Sequence, residues 1–186
     1  MTTFASRLAA LDGAARLCVG VDPHTQTLEA WGLDDSAEGI RAFSRAMLDA
    51  MVESSVALTK PQVALFERHG IDGMRVLAQF IGEARAQGIS VIADVKRGDI
   101  GTSLAGYASA WLAPGGDFES DAMTAVAYQG VGSLEPALEM ASDGGKGVFV
   151  LAGTSNPEGW PVQSARVSTG ETVAGLTVAE VARRSR

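Results

Sequence analysis

Five short runs of apolar residues, rich in β-branched side chains, recur along the chain at intervals of 25 to 39 residues. The runs are nearly continuous in apolar character rather than alternating, which is typical of strands buried on both faces. The pattern therefore predicts a parallel sheet with both faces covered. We predict its strands over Leu17–Val21, Val56–Thr59, Ile89–Ala93, Ala122–Val126 and Gly147–Leu151.

Amphipathic helices are predicted between these runs. Apolar residues recur at helical spacing at Ile40, Phe43, Met47 and Met51, at Met74, Leu77, Ile81 and Ala84, and at Leu104, Tyr107, Ala108 and Trp111. We expect Asp35 and Asp72 to cap the first two helices and Gly88 to end the second. A fourth helix is predicted from near Ser133 and a fifth from about Thr172. Strands alternating with helices predict five βα units and an α/β fold.

The balance of charge excludes several classes of partner. The chain carries 15 basic and 22 acidic residues, for a net charge of −7, which argues against binding nucleic acid or an anionic membrane surface. The single cysteine, Cys18, excludes an intrachain disulfide and a multi-thiolate metal site. No apolar stretch approaches the roughly 18–20 residues of a membrane span, and the first residues lack the apolar region of a signal peptide. We therefore expect a cytoplasmic location.

Lysine is rare in this chain, because twelve of the 15 basic residues are arginine and only Lys60, Lys96 and Lys146 are lysine. A lysine ammonium is compact and adjusts its pKa to its surroundings, which a guanidinium does not. Lys60 and Lys96 fall at the ends of predicted strands, where parallel α/β folds bind their ligands. Lys146 lies in Asp143–Gly147, which we interpret as a helix-to-strand turn.

The third predicted strand is followed by a cluster of charged residues. Asp94 and Lys96 are two positions apart, so they project to the same side of a strand. Asp99 follows a glycine and can either return toward the same pocket or reach a neighbouring subunit. With Lys60 from the adjacent strand, these residues form an alternating Lys, Asp, Lys, Asp array. Because buried ion pairs add little net stability, we interpret the array as a functional site.

These residues together resemble the orotidine 5′-phosphate decarboxylase family, in particular its longer bacterial branch. The resemblance extends from about Leu17 to Arg186, and it rests on Asp22, Lys60-Pro61-Gln62, the segment Ala93–Gly101 and the segment Thr154–Gly159. It implies a homodimeric (β/α)₈ TIM barrel, of which about five N-terminal βα units lie in this chain, as a single decarboxylase domain over residues 1–186. The implied reaction converts orotidine 5′-phosphate to UMP and CO₂ in pyrimidine biosynthesis, with no metal and no cofactor.

The resemblance also implies roles for eight residues. Lys96 is implied to protonate C6 of the pyrimidine, Asp94 to face the substrate carboxylate, and Lys60 to hold Asp94 and contact the ribose. Asp99 is implied to act across the dimer interface. The remaining positions are implied to bind substrate: Asp22 at the ribose hydroxyls, Ile100 beside the ribose, Ser103 in place of the family's usual threonine, and Ser155 at the pyrimidine edge.

Two alternatives remain open at this point. A magnesium-dependent sugar-phosphate decarboxylase or synthase of the same superfamily shares the third-strand motif, but usually has an acidic metal ligand where this chain has Lys60. The other alternative is a catalytically silent, dimerising fragment, because a closed barrel needs eight βα units and typically about 250 residues. The family's phosphate-binding Gln and Arg have no counterpart before Arg186. We therefore expect the chain to be a fragment of a longer decarboxylase.

Overall fold

The five predicted strands all form, and they make one parallel sheet in the order β1-β2-β3-β4-β5. The structure, a computed structural model, describes residues 2–185. The strands are β1 (Cys18–Val21), β2 (Leu58–Pro61), β3 (Ser90–Arg97), β4 (Ala122–Val126) and β5 (Gly147–Leu151). Because β2 and β3 extend further toward their carboxyl ends than predicted, Lys60 and Lys96 lie within strands rather than after them.

Helices connect the strands, and the five predicted ones correspond to α3, α5, α6, α7 and α9. The short helices α1, α2, α4 and α8 escaped prediction because four to six residues are too few to show a helical period. No helix within residues 2–185 is long and apolar enough to cross a membrane. The helices are α1 (Phe4–Ala9), α2 (Thr25–Ala30), α3 (Ala37–Glu53), α4 (Ala64–Glu67), α5 (Gly70–Ala86), α6 (Gly101–Leu112), α7 (Glu135–Gly144), α8 (Trp160–Gln163) and α9 (Val173–Arg184).

The predicted capping residues are only partly confirmed. Asp35 does not cap α3, because the hydroxyl of Ser36 accepts the Gly39 N–H at 3.1 Å while Asp35 is bonded to Arg68. Asp72 does not cap α5 either, since it lies in the first turn of a helix that begins at Gly70. Gly88 follows the end of α5 with φ +78°, a conformation that glycine adopts without strain, so its predicted role is confirmed.

Sequential strand order determines where the helices lie. Right-handed crossovers that always step to the next strand in the same direction place every connecting helix on one face of the sheet. On that face, the side chains of Val91, Ala93 and Val95 pack into the main core. The residues that alternate with them point to the opposite face, where Ile92 packs against Phe4 of α1. This opposite face, which we call the inner face, therefore has an apolar layer at the amino-terminal end of the strands, and α1 covers it there.

An ion-pair network joins the amino-terminal ends of β4 and β5 to α5. Glu119 accepts hydrogen bonds from Lys146 Nζ at 2.9 Å, Arg85 Nη2 at 2.8 Å and the Gly115 N–H at 2.7 Å. Lys146 precedes β5 and follows Gly145, which ends α7 in the left-handed conformation, so the predicted helix-to-strand turn is confirmed. The third lysine of the chain therefore serves the packing of the fold, at the end opposite to Lys60 and Lys96.

We predict that Glu119 makes the stability of the fold depend on pH in the acid range. Burial raises the pKa of Glu119, but hydrogen bonds from Gly115, Lys146 and Arg85 outweigh burial and lower the pKa from 4.5 to about 2. The stabilisation is therefore complete above about pH 5 and is lost as the pH falls toward 2. Glu119→Gln should lower the free energy of unfolding at pH 7 by at most about 3 kcal/mol, and by almost nothing near pH 2.

Urea unfolding of wild type and Glu119→Gln at pH 7, 5 and 3 measures this difference. The matched control is Glu139→Gln, which removes an exposed carboxylate of α7 that pairs with no cation in the described part of the chain. A Glu119→Gln penalty that stays constant across this pH range contradicts the prediction.

Candidate active site

The charged residues predicted from the sequence lie on the inner face, at the carboxyl ends of β1, β2 and β3. Lys60 alternates with the helix-side residues of β2, and it is paired in register with Gly20 of β1. Asp94 and Lys96 follow Ile92 on the same face of β3. Asp22 comes directly after β1. Parallel strands thus bring residues that are more than 30 positions apart in sequence to one edge of the sheet.

Asp94 is the centre of this group. Its side chain is only 7% exposed, and Oδ2 receives Lys96 Nζ at 2.6 Å and Lys60 Nζ at 3.0 Å. Oδ1 accepts the hydroxyl of Thr124 at 2.9 Å. Burial raises the pKa of Asp94, but the hydrogen bonds from Lys96, Lys60 and Thr124 outweigh burial and lower the pKa below its ordinary value. The predicted proximity of Lys60, Asp94 and Lys96 is confirmed.

The backbone at Lys96 departs from regular strand geometry. Lys96 has φ +47°, a left-handed conformation that costs a non-glycine residue about 1–3 kcal/mol. Between Ala93 and Arg97, β3 advances further than its partner β4, so the strand is bulged at this point. The Lys96 N–H, which leaves the ladder there, donates to Thr124 Oγ1 at 2.8 Å. Strain of this kind is typical of functional sites.

Thr124 and Gln62 belong to the site, although the sequence reasoning assigned neither a role. Thr124 joins the Asp94 carboxylate to the Lys96 backbone, and it is a polar residue inside the otherwise apolar run of β4. This single polar position in β4 is the sequence signal that could have identified Thr124 as a site residue. Gln62 Oε1 accepts from Lys96 Nζ at 3.0 Å, so the ammonium is held between a carboxylate and an amide. Gln62 follows Lys60 closely, but its position alone does not indicate this contact.

Asp22 supplies a free acceptor beside the group. Its Oδ1 is buried and has no hydrogen-bond partner in the described residues. Oδ2 lies where a Cβ on Gly20 would approach to 2.8 Å, so the glycine makes room for the carboxylate. An unsatisfied buried oxygen is costly, and a ligand hydroxyl would satisfy it.

Within residues 2–185, the other four predicted site residues do not join the Lys60–Asp94–Lys96 group. Asp99 Oδ1 accepts the N–H of Ile100 at 2.8 Å and does not return to the pocket. Ile100 is 62% exposed. Ser103 is exposed in the first turn of α6, and Ser155 is exposed in the loop after β5. Of the predicted four-residue array, the structure therefore assembles three members.

The loop that carries Ser155 is held by hydrogen bonds of its own. Gln163, at the end of α8, accepts the Thr154 N–H at 3.1 Å and donates to Thr154 Oγ1 at 2.7 Å. Asn156 bonds Thr154 on one side and Glu158 on the other. Ser155 thus lies in a closed loop at the carboxyl end of β5, the same end of the sheet as Lys60 and Lys96.

Comparison with known proteins gives a consistent match over nearly the whole chain. The model of the Orotidine 5′-phosphate decarboxylase / HUMPS family matches residues 15–185. An orotidine 5′-phosphate decarboxylase from Corynebacterium efficiens is 48% identical over 183 residues, which are 97% of this chain and 64% of that protein. One from Salinispora tropica is 48% identical over 182 residues, 97% of this chain and 65% of that protein. The chain thus spans less than two thirds of the length of these relatives.

Solved structures agree with the sequence match. A crystal structure from Streptomyces avermitilis, assigned as an orotidine 5′-phosphate decarboxylase, superposes with a TM-score of 0.94 at 47% identity, over 98% of this chain and 64% of that one. The structure of Leishmania donovani OMP decarboxylase superposes with a TM-score of 0.76 at 30% identity, over 99% of this chain and 65% of that one. The sheet and helices described above are therefore part of a TIM barrel.

We predict that Thr124→Val raises the pKa of Asp94, because the carboxylate loses one of its three hydrogen-bond donors. The same change leaves the Lys96 N–H without its acceptor, so the free energy of unfolding should fall by about 1–3 kcal/mol. A ¹³C NMR titration of aspartate-labelled protein measures the pKa, and urea unfolding measures the stability.

Thr59→Val is the matched control, since it removes another buried hydroxyl, whose bond goes to the Val19 carbonyl at 2.9 Å. Thr124→Ser keeps the hydroxyl and should keep the low pKa. Equal pKa values of Asp94 in Thr124→Val and Thr59→Val would show that the hydroxyl of Thr124 does not act on the carboxylate.

Proposed function

Because the chain belongs to the Orotidine 5′-phosphate decarboxylase / HUMPS family, we propose that it carries the catalytic side chains for decarboxylation of orotidine 5′-phosphate to UMP and CO₂. The observation that carries the proposal is the buried Asp94 carboxylate with Lys60 and Lys96 on one of its oxygens. In the magnesium-dependent alternative an acidic ligand stands where this chain has Lys60. The ammonium at that position would repel a cation, which favours the decarboxylase that needs no metal.

Lys96 is the proposed proton donor. When the bond between C6 and the carboxylate breaks, its electron pair stays on C6 and CO₂ leaves. A fixed ammonium beside C6 stabilises the negative charge that develops there, and then gives up a proton to form the C6–H bond of UMP. The neutral amine regains its proton from solvent. The hydrogen bonds of Lys96 Nζ to Asp94 and Gln62 fix the ammonium in one position before the substrate reacts.

Asp94 is proposed chiefly as the electrostatic organiser of the two lysines. A carboxylate with a lowered pKa stays ionised at neutral pH and binds both ammonium groups through one of its oxygens. Asp94 also faces the place proposed for the substrate carboxylate, and Lys60 is proposed to contact the ribose as well as to hold Asp94.

The remaining residues are proposed to bind the substrate. The unpaired Oδ1 of Asp22 suits a ribose hydroxyl, because a hydroxyl donor would satisfy the buried acceptor. Ile100 and Ser103 are proposed to lie against the ribose, and Ser155 to bond the pyrimidine edge. Their exposure at the carboxyl ends of β3 and β5 leaves them accessible to a ligand on the inner face.

A homodimer is proposed to complete the site. Asp99 makes no contact with Lys60, Asp94 or Lys96 in the described chain, and its carboxylate is bonded only to the next backbone N–H. A second subunit is proposed to present its own Asp99 to this Lys60–Asp94–Lys96 group. The interface would then supply the fourth charge of the alternating array.

Turnover of orotidine 5′-phosphate by the purified chain, with EDTA present, is measured by the loss of substrate absorbance, and it decides whether the chain is active without the family's phosphate-binding Gln and Arg. Lys96→Ala should lower kcat by at least about 10⁴-fold, because both the proton donor and the charge beside C6 are removed. Arg75→Ala, which removes an exposed charge of α5, is the control and should retain wild-type rates. Absence of turnover in a folded dimer favours the catalytically silent alternative, and activity that requires magnesium favours the sugar-phosphate alternative.

Hybrid dimers test the shared site. Lys96→Ala and Asp99→Asn should each be inactive alone, whereas a mixture should recover about a quarter of the wild-type rate. Random pairing makes half of the dimers mixed, and each mixed dimer has one site with both residues intact. The rate is measured before and after subunit exchange. No recovery in a mixture whose hybrid dimers are confirmed by native mass spectrometry would show that Asp99 does not act across the interface.

A further inference from the structure

The short helix α4 touches the chain on both sides of the strand that precedes it. The backbone entering the helix is tied to both neighbouring strands, since the Gln62 N–H donates to the Val21 carbonyl at 3.1 Å and the Val63 N–H to the Asp94 carbonyl at 3.4 Å. The last residue of α4, Glu67, and the next residue, Arg68, then extend in opposite directions. One reaches the end of β3 and the other reaches the loop after β1.

Glu67 holds the end of β3. Its carboxylate accepts a hydrogen bond from Arg97, the residue that directly follows Lys96. The Arg97 guanidinium also lies 5.7 Å from the centre of the Tyr107 ring on α6. Arg97 is thus fixed from two sides. Its neighbour Lys96 has the strained backbone. The Glu67–Arg97 ion pair therefore lies next to the residue whose backbone conformation is least favourable.

Arg68 holds the loop after β1. Its guanidinium bonds both oxygens of Asp35, at 2.5 and 2.8 Å, and Asp35 in turn accepts the hydroxyl of Thr25 at 2.7 Å. The same guanidinium donates to the Pro23 carbonyl at 3.1 Å and to Thr25 Oγ1 at 3.1 Å. Pro23 directly follows Asp22, so a planar, two-pronged donor fixes the backbone next to the free carboxylate.

These contacts are better suited to fixing geometry than to adding stability. Glu67, Arg97, Arg68 and Asp35 are each roughly one-third exposed, and ion pairs with that much solvent contribute little to the free energy of folding. A rigid fork that bonds three separate points of the segment between β1 and α3 does define where that segment lies. Small displacements of such a loop have large effects on binding and catalysis.

We propose that Glu67 and Arg68 are positioning residues, which set the distance between the Asp22 loop and the Lys96 strand end on either side of β2. The kinetic part of this inference rests on the proposed decarboxylation. Arg68 acts on a loop with a binding role, so its loss raises KM. Glu67 acts through Arg97 on the proton donor, so its loss lowers kcat.

Amide hydrogen exchange tests the positioning without any need for activity. In Arg68→Met, exchange over residues 22–28 should become about tenfold faster while residues 95–101 stay within about twofold of wild type. In Glu67→Gln, exchange over residues 95–101 should become about tenfold faster while residues 22–28 stay within about twofold of wild type. Arg75→Met is the control, because its pair with Asp72 is exposed and lies on the outer helix α5. Equal acceleration of both segments, or none in either, overturns the proposal.

Steady-state kinetics test the division of roles. Arg68→Met should raise KM about tenfold with kcat nearly unchanged, and Glu67→Gln should lower kcat about tenfold with a small change in KM. Arg68→Lys keeps the charge but loses the fork, so it should rescue KM only in part. A fall in both parameters by the same factor in both variants, as from partial unfolding, contradicts the division.

If wild type shows no turnover, the proposed function fails, and the exchange result still decides the positioning. If Arg68→Met does not fold, Arg68→Lys takes its place in both measurements, with a smaller change of the same kind expected.

Discussion

The carboxylate of Asp94 is the group on which the rest of the site depends. It is almost fully buried, and an ionised carboxylate in such a place must be matched by donors on every side. Two lysines and one threonine supply them. Two ammonium groups around one carboxylate leave a single positive charge in a chain whose net charge is −7. The Asp22 carboxylate beside them offsets that charge within the site.

Sheet geometry makes this arrangement possible. Sequential parallel strands keep the helices on one face, so the opposite face at the carboxyl ends is free for polar side chains. The same alternation that points Val91, Ala93 and Val95 into the helical core points Asp94 and Lys96 away from it. At the amino-terminal ends, Lys146 and Glu119 form an ion pair that belongs to the fold. Lys60 and Lys96 therefore belong to the site at one end of the sheet, and Lys146 stabilises the packing of the fold at the other.

The family match and the local geometry support each other at different scales. The match extends over residues 15–185 and identifies the barrel type, but a family name does not say how a particular lysine is held. The structure provides that detail through the bulge at Lys96, the hydroxyl of Thr124 and the amide of Gln62. Around them, Glu67 and Arg68 connect the loops of neighbouring strands through contacts that no strand-end motif includes.

By itself, the sequence determined the five strands, the five longer helices and the grouping of Lys60, Asp94 and Lys96. These features follow from local periodicity, because the period of two fixes which strand residues share a face, and the period of 3.6 marks an amphipathic helix. Only the tertiary structure decided that Ser36 rather than Asp35 caps α3, that Thr124 joins Asp94 to the Lys96 backbone, and that Asp99 stays apart from the group. Each of these depends on the distance between segments far apart in sequence. A bulge, a hydroxyl 30 positions away or an arginine on the next loop leaves no periodic trace in the chain, because its contacts form only when the strands pair.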